Sequence, residues 1–131
     1  MVYSELWDLQ EKAKDIVLDQ NQEDYMKEFL SAFSGDYGAD QQLIAKTVLD
    51  FGITLLRKNR NYGSSVFKQP VLTPDIATDA AIRVRMSDKI ERLVSLFKGN
   101  ADLVGESVID TIKVLGAYCI LWLVYKEKKN G

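Results

Sequence analysis

Two pairs of acids stand at helical spacing in the second half of the chain. Asp88 and Glu91 are three residues apart, and Glu106 and Asp110 are four apart. Either spacing puts both members of a pair on one helical face. On neighbouring helices, the four carboxylates could hold one or two Mg2+ ions, which take hard oxygen ligands. A metal held that way can activate water against a phosphorus atom. The same pairs are also what any solvated helix carries. Rotation at about 100° per residue sets Met86, Ile90, Leu93 and Phe97 roughly opposite Asp88 and leaves Arg85, Lys89 and Arg92 beside it. On that reading "RVRMSDKIER" is a mixed-charge face turned away from the core. As one wall of a groove, its three cations would bind an anion.

A second cluster is "KNRNYGSS", with Lys58, Arg60, Tyr62, Gly63, Ser64 and Ser65. Cations, hydroxyls and free backbone N–H groups suit contact with a phosphate. The stretch lacks the Gly-Lys-Ser or Gly-Lys-Thr ending of a P-loop. Its plain alternative is a basic helix end followed by a turn.

Composition removes other chemistries. There is no histidine, so His-based acid–base catalysis and His-activated nucleophiles are excluded. One cysteine and no histidine cannot supply the usual zinc ligands. Cys119 is alone in the chain, so no intrachain disulfide can form; its apolar surroundings suggest a buried thiol. The net charge of -2 gives no electrostatic reason to expect nucleic acid as a partner. The opening "MVYSELWDLQEKAKD" is acidic and amphipathic, unlike a signal peptide. The apolar run from Val114 to Tyr125 is too short to span a bilayer. The expectation is a soluble cytoplasmic protein with no membrane partner.

The elements that must position these groups read as helices. The chain of 131 residues suits a single domain, with 1–40 as an N-terminal helical extension and 41–128 as the core. A first helix is expected over about 4–19. "DQNQED" breaks it, and "EDYMKEFLSAF" forms a shorter one ending near Gly35. The next begins after Asp40 and buries Leu43, Ile44, Thr47, Val48, Phe51 and Leu55. Residues 59 to about 73 read as a loop, long for a helix–helix connection and so a functional candidate. Helix resumes near Pro74, with Thr73 as cap, and runs to Lys98. Its core face is Ile76, Ala80, Val84, Met86, Ile90, Leu93 and Phe97. After "KGNAD", a last helix runs from about Leu103 to Lys126, ending in lysines that suit its dipole. The fold class is all-α, a helical bundle of three long helices and one or two short ones. The last helix is apolar nearly all round beyond Ile112. One chain this small can hardly wrap it, so a homo-oligomer is expected.

"KNRNYGSSV", "AIRVRMSDKIERLVSLFKG" and "VGESVIDTIKVLGAY" together resemble nucleotide modification associated domain 1, frequent in bacteriophages. That family shows Lys-Asn-x-x-Tyr-Gly-x-Ser, then Arg-x-x-Asp-Lys-x-x-Arg-Leu, then Glu-Ser-x-x-Asp-Thr-Leu-x-Asp-Leu-x-x-Tyr. The likeness covers about residues 43 to 125. It matches at Lys58, Asn59, Tyr62, Gly63 and Ser64 or Ser65; at Arg85, Asp88, Lys89, Arg92 and Leu93; and at Glu106, Ser107, Asp110, Thr111, Leu115 and Tyr118. The family is similar to the all-α nucleoside triphosphate pyrophosphohydrolases, the MazG-like enzymes and dimeric dUTPases, which hold Mg2+ with acids on adjacent helices.

The resemblance implies a nucleotide or nucleotide-derived ligand. It implies Mg2+ held by Asp88, Glu91, Glu106 and Asp110, with Glu106 and Asp110 at the chemistry. Lys58, Asn59, Tyr62, Gly63, Ser64, Arg85, Lys89 and Arg92 would bind the nucleotide. It also implies a host-cytoplasm location if the protein is phage-encoded. One departure stands out: the family's second aspartate falls at Val114. Losing a carboxylate weakens a Mg2+ site severely. The alternative is therefore a non-catalytic viral protein that sequesters a nucleotide signal or blocks a host defence protein.

Overall fold

The computed structural model of the chain describes residues 16–99 and 107–130. Among them are four α-helices and no strand: α1 (Gln20–Ser31), α2 (Ala39–Asn61), α3 (Thr78–Phe97) and α4 (Val108–Asn130). Short 3-10 turns cover Ala32–Ser34 and Ser65–Phe67. The all-α expectation holds, with three long helices and one shorter. The helix expected over 4–19 lies outside the described residues up to 15, and 16–19 are not helical. The chain divides into two compact units, Met1–Leu49 and Asp50–Gly131, and the division falls inside α2.

In the first unit, "DQNQED" starts a helix instead of breaking one. Asp19 caps α1: its Oδ1 accepts from the Gln22 N–H (2.9 Å) and its own N–H donates to Gln22 Oε1 (3.0 Å). That reciprocal pair satisfies two backbone groups that a helix start otherwise leaves open. Phe29 and Phe33 meet edge to face at 5.7 Å, an arrangement ring quadrupoles favour. The Tyr37 hydroxyl donates to Glu28 Oε1 (3.2 Å). Ala32 and Ala45 are buried, while Leu43, Ile44 and Val48 are exposed. The apolar stripe expected along α2 is thus half-covered only at Phe51 and Leu55.

In the second unit, α3 and α4 pack along one another. They run antiparallel, because Asp79 in the first turn of α3 meets Trp122 and Lys126 near the end of α4. α3 begins at Thr78, with Ala77 as cap. Pro74 and Asp75 instead belong to a turn closed by the Ile76 N–H on the Thr73 carbonyl (3.1 Å). Among the described residues, only Ile82 and Thr111 are fully buried. They mark the inward faces of α3 and α4.

That inward face of α3 is only partly the expected one: Met86 and Leu93 keep to it, half-buried, within about 40° of Ile82. Val84, Ile90 and Phe97 are exposed, whereas Arg85, Lys89 and Arg92 are half-buried. The reason is phase. Lys89 follows Ile82 by seven residues, two turns, and so returns to within about 20° of it. The polar stripe turns toward α4, and part of the apolar stripe turns away.

α4 extends to Asn130, past the expected end at Lys126. Val108–Asn130 is long and apolar enough to cross a membrane by length and composition alone, a longer stretch than the Val114 to Tyr125 run read from the sequence. Cys119 is exposed, not the buried thiol expected. It sits about 80° from Thr111 around the helix, off the seam with α3. Among the described residues, α4 is not wrapped on all sides: Ile109, Ile112, Ile120 and Leu123 remain exposed.

Candidate functional site

The stretch from Lys58 to Ser65 folds as a helix terminus. The Gly63 N–H donates to the Arg60 carbonyl (3.3 Å) and the Ser64 N–H to the Asn59 carbonyl (3.2 Å). These two bonds define a Schellman cap with Gly63 at its left-handed position, where φ is +58°. Ser64 follows at φ +59°, and its Oγ accepts from Asn59 Nδ2 (3.1 Å). The Tyr62 N–H donates to Lys58 (3.1 Å) and the Ser65 N–H to Tyr62 (3.2 Å). The backbone donors expected to face a phosphate therefore serve the end of α2. Lys58 and Tyr62 stay exposed beside them.

At the start of α4, Asp110 takes part in the helix cap. Ser107 precedes the helix, and its Oγ accepts from the Asp110 N–H (3.1 Å) while donating to Asp110 Oδ2 (2.9 Å). The Thr111 N–H and hydroxyl both donate to the Ser107 carbonyl (3.0 and 2.9 Å). Ser-x-x-Asp thus works as an N-cap, and an acid in the first turn is favoured there by the helix dipole. The Asp110 carboxylate keeps a second oxygen and remains exposed. Glu106 lies outside the described residues.

Which groups share a side of the α3·α4 pair follows from their rotation. Measured from Ile82, Arg85 and Arg92 lie about 60–80° to one side and Asp88 about 120°, while Glu91 lies about 180° away. Measured from Thr111, Val114 lies about 60° and Asp110 about 100° to one side. Antiparallel pairing brings those two sides together. Asp88, Arg85, Arg92, Asp110 and Val114 therefore border one edge of the pair. Glu91 is exposed on the far side of α3. Lys89 lies in the seam itself, and Lys89 and Arg92 are each engaged by a neighbour. No group of three potential metal-ligating side chains occurs among the described residues.

One polar cluster had no counterpart in the sequence reading. The Asp79 carboxylate accepts from the Trp122 indole N–H. It also pairs with Arg83 Nε (3.3 Å) and Lys126 Nζ (3.5 Å). The Trp122 hydrogen bond, helped by the two cations, holds the Asp79 pKa below its ordinary 3.8, against the opposing effect of burial. Lysines at the end of α4 also lie over rings: Lys126 over Trp122 at 5.8 Å, Lys128 over Phe67 at 4.8 Å and Lys129 over Tyr125 at 5.6 Å. An acid early in a helix is a common dipole partner, and only its distant indole partner makes it a fastening point.

No family model, curated protein or solved structure matches the chain.

Proposed function

We propose that the chain is a nucleotide-binding protein of the all-α pyrophosphohydrolase type, with phosphates held at the edge of the α3·α4 pair. The observation that carries this reading is the placement of Arg85, Lys89 and Arg92 on the half-buried side of α3. Cations at a partly desolvated seam act on a polyphosphate more strongly than cations in open water. Asp88 and Asp110 on the same edge are the acids from which a Mg2+ ion would be held, with Glu106 as the further ligand the family resemblance supplies. The metal would polarise a phosphate and activate water. Lys58 and Tyr62, exposed beside the α2 cap, are further nucleotide contacts that the family resemblance supplies.

A second reading has its own observation. Val114 occupies the edge where the family carries an acid, and one oxygen of Asp110 is bonded to Ser107. A site built this way would bind a nucleotide without cleaving it, as a sequestering protein does. Incubation with a panel of linear and cyclic nucleotides, with and without Mg2+, separates the two. Metal-dependent release of pyrophosphate that is lost in Asp110→Ala supports hydrolysis. Tight binding with the ligand recovered intact supports sequestration. Absence of binding to every nucleotide would sink both.

A further inference from the structure

The face of α4 turned away from α3 has a regular composition. Measured from Thr111, Lys113, Ile120 and Glu127 lie about 160–200° around the helix. Between them stand Gly116 and Ala117 on the N-terminal side of Ile120, and Leu123 and Val124 on its C-terminal side. The steps along this stripe alternate three and four residues, the period of a helix that pairs with another helix. Ile120, Leu123 and Val124 are 40%, 70% and 37% exposed, so the chain itself leaves much of the stripe open. Phe51 borders it at Gly116, its ring 3.4 Å from where a Cβ would stand.

We infer that this stripe is the contact between two copies of the chain, with the two α4 helices antiparallel and crossing at Ile120. The stripe is self-complementary about that residue. Lys113 lies seven residues before Ile120 and Glu127 seven after. A two-fold axis through Ile120 sets each Lys113 opposite the other copy's Glu127, giving two symmetric ion pairs. The same axis sets Ala117 opposite Leu123, small against large, the arrangement that lets facing layers interdigitate, while Gly116, opposite Val124, is already covered by the Phe51 ring. An isologous contact requires this palindromic match of charge and size. A lipid phase would take the apolar residues but give Lys113 and Glu127 no partner. This contact does not depend on the nucleotide reading, because it uses the side of α4 away from the α3 seam.

Sedimentation equilibrium of the full chain tests it, with far-UV circular dichroism to confirm folding. A dimer is expected for the natural sequence. Lys113→Glu and Glu127→Lys should each weaken it, on the order of tenfold in Kd, since every dimer loses two pairs and gains two repulsions. The combined Lys113→Glu, Glu127→Lys variant should recover most of that loss. In a Cys119→Ser background, Ile120→Cys should form a disulfide-linked dimer under mild oxidant, because a residue on the axis meets its own copy. A monomeric natural chain, a double exchange with no recovery, or cosedimentation with lipid vesicles in place of dimerisation would each overturn the proposal.

Discussion

The Trp122 indole N–H is bonded to the Asp79 carboxylate, joining the first turn of α3 to the last turns of α4 across 43 residues of sequence. This bond holds the antiparallel register of the pair. Arg83 and Lys126 gather on the same carboxylate, so one acid fastens the outer end of the α3·α4 unit. Trp122→Phe keeps an aromatic ring, smaller than the indole, and removes the donor. A lower midpoint of chemical denaturation is expected, with the far-UV spectrum retained. An unchanged midpoint would mean that apolar packing alone sets the register.

The same acid gives stability a pH signature. The folded-state pKa of Asp79 is lowered, so its contribution is present above the unfolded value near 3.8 and is lost as pH falls through the lower folded value. Denaturation midpoints of the natural chain and Asp79→Asn should therefore differ at neutral pH. They should converge below about pH 4. A difference that persists undiminished at low pH contradicts the assignment.

Helix ends give a local test. Gly63 sits at φ +58°, where a Cβ costs about 1 kcal/mol or more. Nothing stands within 4 Å of the position such a Cβ would take. Gly63→Ala should therefore destabilise through backbone conformation alone, by about 1 kcal/mol. Ser64→Gly should stabilise, because Ser64 carries the same left-handed strain.

At the start of α4, Ser107→Ala removes the side-chain cap. The expected loss is about 1 kcal/mol, typical of an N-cap serine. It also frees the Asp110 carboxylate from its hydroxyl partner. If Asp110 binds Mg2+, metal affinity should be unchanged or increased in this variant while stability falls. Absence of Mg2+ binding in both proteins, with stability lost in the variant, would assign Asp110 to the cap alone.

The helical class was legible because long runs carry helical periodicity and few breakers. Their facing was not. Val84, Ile90 and Phe97 read as core of α3 from their apolarity, yet Ile82 is the buried residue and the cations follow its phase. The three small or polar positions Thr78, Ala81 and Thr111 are buried, and a hydrophobic stripe drawn through large residues passes them by. Asp19-x-x-Gln22 and Ser107-x-x-Asp110 were readable as capping boxes, and would have set the starts of α1 and α4 correctly. The Asp79–Trp122 bond was beyond reach, since nothing local ties two residues on different helices. The candidate acids were found as residues, but their grouping needed the phases of both helices: Asp88 and Asp110 share an edge, and Glu91 does not.

The most direct test is a calorimetric titration of the natural chain and the Arg85→Ala, Arg92→Ala double variant with nucleoside triphosphates, with and without Mg2+. The result expected is saturable binding by the natural chain and a loss of at least tenfold in affinity in the variant, with its helical spectrum intact. Each truncated contact to a charged phosphate is worth about 1.5–3 kcal/mol. Equal affinity in both proteins, or no heat with any nucleotide, would contradict a phosphate site at the edge of α3 and α4.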